Sequence, residues 1–232
     1  MVILFAIAGL LLWIAWPVLF GTSPRPEETK WPENLYFISR SEWADQSISH
    51  PEDIEPMSGI TRVTIHHDGM PPLPMKTEAQ IKSRIVSIRK SHSKKYADIG
   101  YHYIVDPRGR IWEGRPLQYQ GAHVQGHNSN NVGILFLGNT YKDIPTAEGL
   151  DGLFTFIRYL KQRYKIPAEN VKTHRELAQT GCPGKLLQEE LDKARKSGKL
   201  KVRVSPGFRI DIEDWIRKLE TWIGEAKKLI EA

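Results

Sequence analysis

The chain has 232 residues, 40% hydrophobic and 26% charged, with a formal charge of +6 and one cysteine. That balance excludes a disordered tail and suits one sizeable folded domain with extensions. The lone Cys182 excludes an intramolecular disulfide, so its thiol calls for an account by burial, reactivity or metal binding.

The first predicted element is apolar. Residues 2 to 20, VILFAIAGLLLWIAWPVLF, carry no charge, and about 20 such residues suffice to cross a bilayer. A basic n-region and a small-x-small cleavage site are both lacking, so 1–21 reads as an uncleaved transmembrane anchor rather than a cleaved signal segment. Trp13 and Trp16 then fall where interfacial aromatics belong. Either form sends the chain into the export route, which puts the folded part in the cell envelope, on the extracytoplasmic side. Residues 22–36, Pro-rich and charged, read as a linker. The positive charge lies wholly beyond residue 24 and suits an anionic wall or membrane surface. No zinc-finger spacing, RNP-like strand or basic repeat points to nucleic acid.

From 37 to 190 strand and helix signals alternate, which predicts an α/β domain. RVTIHH, residues 62 to 67, reads as a buried strand. Residues 78 to 93 place Ala79, Ile81, Ile85 and Ile88 on one helical face. GYHYIV and RIWEG flank the turn residues Asp106, Pro107 and Gly109, which predicts a hairpin. NVGILFLGN is a further strand, and helices are expected over 147–164 and 184–197. In the C-terminal extension, 191–232, Ile212, Trp215, Leu219, Trp222, Ala226 and Leu229 recur at three- and four-residue steps. They form an amphipathic helix for packing on the domain, self-association or a partner.

The chemistry concentrates in two distant segments, TIHHDG and THRELAQTGCPG. His66 ends the first strand, while His174 and Cys182 stand eight residues apart around a loop. Two imidazoles and a thiolate make three ligands, the number a catalytic Zn2+ site keeps so that a fourth position stays open for water. Zinc can polarise a carbonyl and lower the pKa of its water towards about 7, which points to hydrolysis. His67 should face the other side of the strand, because side chains alternate, and be packed or hydrogen-bonded there; substrate contact is the alternative. No glutamate has the HExxH spacing that would declare a general base, and Glu113 and Glu78 stay as candidates.

IHHDG, ADIGYHYIVDPRGRIWEGRP, QGAHVQGHNSNNVGILFLGN and THRELAQTGCPG, with the helix after the first, resemble in content and order the zinc amidase domain of peptidoglycan recognition proteins and phage amidase endolysins. The resemblance spans about Ile38 to Leu187. It implies a mixed central β-sheet flanked by α-helices and an N-acetylmuramoyl-L-alanine amidase acting on peptidoglycan or muropeptides. It also implies His66, His174 and Cys182 as zinc ligands and Tyr101 beside the metal, where its hydroxyl would hold the water or, mainly, donate to the developing oxyanion. Thr180, two before the cysteine, takes a position that is lysine in some phage members and is expected as an auxiliary donor. His123 is expected to contact sugar or peptide, and Asn128 to shape a turn or donate to substrate. The rival reading is a binding module of the same fold that does not cut.

Overall fold

The computed structural model describes residues 31–44, 47–48, 51–71 and 75–202. The expected anchor over 1–21 and the amphipathic helix beyond 203 lie outside these residues. Among the described residues no helix is long and apolar enough to cross a membrane.

Among the described residues, six strands form one mixed sheet: β1 (Phe37–Ile38), β2 (Arg62–His67), β3 (Tyr103–Val105), β4 (Ile111–Glu113), β5 (Asn131–Phe136) and β6 (Val171–Thr173), in the order β1-β4-β3-β5-β2-β6. β3, β5, β2 and β6 run parallel; β4 turns back antiparallel to β3, and β1 follows β4. The central strands β2 and β5 are buried on both faces, which explains their near-continuous apolar character.

The antiparallel step is the predicted hairpin. Gly109 N–H donates to Asp106 O at 2.9 Å, while the Asp106 carboxylate accepts from the backbone of Arg108 and from the Trp112 indole at 2.8 Å each. Gly109 has a φ of 77°, the region where only glycine is unstrained.

Among the described residues, three α-helices cover the sheet. α1 (Glu78–Tyr96) starts at a capping box: Thr77 Oγ1 accepts from Gln80 N–H, and the Gln80 carboxamide oxygen accepts from Thr77 N–H. Its Ile81, Ile85 and Ile88 pack with Ile104, Trp112, Leu135 and Leu137 on one face of the sheet. α2 (Ala147–Tyr164) and α3 (Lys185–Lys196) close the other face. There Leu153, Phe156, Ile157, Leu187 and Leu191 meet Val63, Ile65, Val132, Ile134 and Phe136. The packed unit reaches beyond 37–190 at both ends: Trp31 stacks on Phe37 with ring centroids 4.0 Å apart, and α3 runs through residue 190 to bury Leu191 and Ala194. The apolar face of α3 and Leu200 beyond it complete the core on this side of the sheet.

This topology gathers the carboxyl ends of β5, β2 and β6 at one edge. In open α/β sheets the crevice beyond such ends is where ligands bind.

Candidate metal site

His66 and His67 end β2 and, by alternation, face opposite sides of the sheet. His66 turns towards His174, the first residue after β6, with ring centroids 4.6 Å apart. The loop from His174 returns to place Cys182 Sγ 3.7 Å from His66 Nδ1. Its two ends are pinned together, since Arg175 N–H donates to Cys182 O at 2.9 Å and the Arg175 guanidinium donates to Gly181 O. Glu176 anchors the loop to α3 through an ion pair with Arg195 at 2.6 Å.

These donors fit a tetrahedral cation. One ligand atom each from His66, His174 and Cys182 lies within 4.8 Å of the other two. An ion with Zn–N of about 2.0 Å and Zn–S of about 2.3 Å separates such atoms by about 3.5 Å, close to the sulfur–nitrogen spacing found. Burial, then the fields of His123, His174 and His67, hold His66 well below the usual histidine range, and burial lowers His174 too. Both imidazoles are therefore neutral, the state that ligates metal. Burial pushes the Cys182 thiol up to about 11, against the pull of His67 N–H, whose nitrogen is 3.4 Å from Sγ, and of Arg175. A divalent cation supplies the charge that would ionise it.

Tyr101 enters from the loop between α1 and β3, its ring 5.1 Å from that of His66. Burial, then the neighbouring Cys182 and Asp68, raises its pKa far above the usual tyrosine value, so the hydroxyl keeps its proton. Beside it opens a cavity of ≈ 380 Å³, lined in part by Met70, Ser87, Ser91 and His92. His92 supports Tyr101: its ring lies 5.4 Å away, and its Nδ1 accepts from Gly100 N–H at 3.1 Å. Its position one turn after Ile88 on the sheet-facing side of α1 was a readable signal for this histidine.

His67, His123 and Asn128 are all engaged within the protein. His123 does not open onto a cleft; it is 8% exposed, with Nδ1 3.1 Å from His66 Nε2 and Nε2 3.1 Å from Asn131 O. Its loop folds under His66 because the Asn128 carboxamide oxygen accepts from both His123 N–H and Val124 N–H, at 2.9 and 2.8 Å. That is the turn role for Asn128. His67 is buried, and its Nδ1 accepts from Thr140 N–H at 3.2 Å, while the Thr140 hydroxyl donates to Pro183 O. Thr180 is exposed on the ligand loop, where its hydroxyl accepts from Cys182 N–H at 3.3 Å.

The candidate bases are engaged elsewhere. Glu113 accepts from Arg40 N–H at 2.9 Å, and Glu78 pairs with Arg110 at 2.6 Å. Asp68, the nearest acid in sequence, has its oxygens taken by Arg84 at 2.9 Å and by the N–H groups of Met70 and Gly138. Arg175 and Thr140, which hold the two flanks of Cys182, gave no sequence signal because their partners, backbone oxygens of the loop for Arg175 and His67 and Pro183 for Thr140, are set by how the chain folds.

A mixed sheet that brings two imidazoles and a thiol together beyond its parallel strand ends defines an α/β domain with a three-donor pocket for a tetrahedral cation. The chain belongs to the N-acetylmuramoyl-L-alanine amidase (Amidase_2) family, which residues 56–185 match. A peptidoglycan-recognition protein of Drosophila simulans is 32% identical over 158 residues, 67% of this chain and 85% of that protein. The N-acetylmuramoyl-L-alanine amidase of Mus musculus is 30% identical over 127 residues, covering 53% of this chain and 24% of that enzyme. Among solved structures, peptidoglycan recognition protein-LE in complex with tracheal cytotoxin, a monomeric diaminopimelic acid-type peptidoglycan, matches with a TM-score of 0.60 and 27% identity, over 68% of this chain and 92% of that one.

Proposed function

We propose that this chain is a zinc-dependent N-acetylmuramoyl-L-alanine amidase, hydrolysing the amide between the lactyl group of muramic acid and the first L-alanine of the stem peptide. The observation that carries it is the complete donor set of His66, His174 and Cys182 with Tyr101 at its side. The family's customary zinc dependence and the monomeric peptidoglycan bound by a structural relative support the same reading. The ion, when bound, supplies Lewis acidity for the scissile carbonyl and activates water.

The chain's own residues do the rest. The scissile carbonyl sits between the donor cluster and Tyr101. The Tyr101 hydroxyl, held protonated by its burial, donates to the oxygen on which negative charge develops. Thr180 is the auxiliary donor from the rim, its hydroxyl hydrogen being free while its oxygen accepts from Cys182 N–H. His67 N–H steadies the thiolate. The apolar run over 2–20 supports a place in the cell envelope, with this domain tethered on the outer side.

The test is digestion of purified peptidoglycan by residues 31–232, with chelator and with zinc restored, and product masses read out. Stem peptides with a free L-alanine amine, lost on chelation and regained with zinc, are expected. Binding of peptidoglycan without those products under zinc-replete conditions would establish the non-cutting recognition module instead.

A further inference from the structure

We infer that His123 is a positioning residue that selects which nitrogen of His66 faces the metal, an inference that rests on the zinc reading above. The backbone oxygen of Asn131 can only accept, so the His123 Nε2 at 3.1 Å carries that ring's proton. A neutral His123 then has its lone pair on Nδ1, and His66 Nε2, 3.1 Å away, must donate to it. The lone pair of His66 is thereby fixed on Nδ1, the atom 3.7 Å from Cys182 Sγ. One carbonyl thus sets, through two rings, the tautomer and orientation of a ligand.

The fold makes room for this ring at a cost. Gly121 and Gly133 flank it, and a Cβ at either position would come 2.5 Å from His123 Cδ2. Gly133 lies inside β5, where a missing side chain weakens a strand and marks the close approach of another group. Here that group is the imidazole. Both ring nitrogens and the backbone N–H of His123 are engaged within the protein, so no polar group of its ring or amide is left for substrate. Its influence on hydrolysis passes through His66.

The experiment measures zinc affinity of the soluble chain by competition with a chromogenic chelator, for wild type, His123→Leu and His123→Gln. The visible spectrum of each Co2+-substituted protein is recorded alongside. Leucine removes the acceptor for His66, so affinity should fall by about 10- to 100-fold and the cobalt spectrum should change. Glutamine offers one acceptor and one donor and should restore most of both. Should the leucine protein not fold, His123→Phe keeps the ring volume and carries the same expectation. A folded leucine or phenylalanine variant with wild-type affinity and an unchanged cobalt spectrum overturns the inference, as does a glutamine variant no better than it. If wild type itself takes up no zinc, the functional reading fails and this inference goes with it.

Discussion

Tyr101 is poised as a donor by what surrounds it: a buried hydroxyl near Cys182 and Asp68 resists ionisation, so it can give a hydrogen bond at neutral pH without losing its proton. Tyr101→Phe should leave zinc stoichiometry and substrate affinity nearly unchanged while kcat falls by about 10²- to 10³-fold, the usual loss for one oxyanion donor. Steady-state kinetics with a metal assay on the same sample checks this, and an unchanged kcat would remove Tyr101 from the chemistry. At this scale the sequence was legible where residue type and order carry meaning. His66, His174 and Cys182 could be picked out as donors, whereas Tyr101 needed the family resemblance. His123 was legible as a residue but not as a role, since its partners, His66 and Asn131, are set by how the loop folds under β2 and β5.

Helix α2 and the β3–β4 hairpin touch backbone to backbone. A Cβ on Gly152 would lie 2.2 Å from Gly109 O, closer than any real contact. Two effects of opposite sign meet at this position. Glycine to alanine inside a helix ordinarily gains roughly 0.5–1 kcal/mol. Overpacking against unyielding backbone costs about 1–3 kcal/mol, and the backbone here cannot swing away as a side chain would. Gly152→Ala should therefore lower the unfolding midpoint in urea; a rise would show that the hairpin yields. Elements long enough to repeat their period were readable, notably RVTIHH and the helix over 147–164, both of which match the expected bounds. β1 and β6, of two and three residues, are too short for any alternation to register, and only pairing with β4 and β2 makes them strands.

Across the whole molecule, buried neutral histidines tie stability to pH. His102 shows this most plainly: it is fully buried, its Nε2 donates to Tyr119 O at 3.0 Å, and its Nδ1 accepts from Gly133 N–H at 3.0 Å. Burial lowers its pKa from 6.5 to about 4. The unfolded chain therefore takes up the proton first on acidification. Its contribution is complete above about pH 6.5 and drains away as pH falls towards about 4, a loss on the order of 3 kcal/mol. His102→Gln can keep both hydrogen bonds without titrating. Urea unfolding at pH 7.5 and pH 4.5 should show a smaller acid loss in that variant, and parallel curves would exclude His102 as a source. The α/β class was legible from the alternation of elements and the mixed sheet from the family resemblance, but the packing of residues 191 to 200 was not. Leu191, Ala194 and Leu200 are widely spaced among charged residues, and their burial depends on the sheet face they meet.

The hydrogen bond from Arg175 to Cys182 has a consequence for how metal and folding are ordered in time. It closes the loop between two of the three donors using protein atoms alone, and the third donor ends a strand buried in the sheet. A small zinc finger must gain its shape from the ion, whereas here two apolar layers pack against the sheet whose strands lead to the donors. Removal of the ion should be a local, reversible event: chelated protein should keep its far-UV dichroism, then recover full activity on adding zinc with no refolding step. On the proposed zinc reading, the polypeptide would be finished first and charged with metal later.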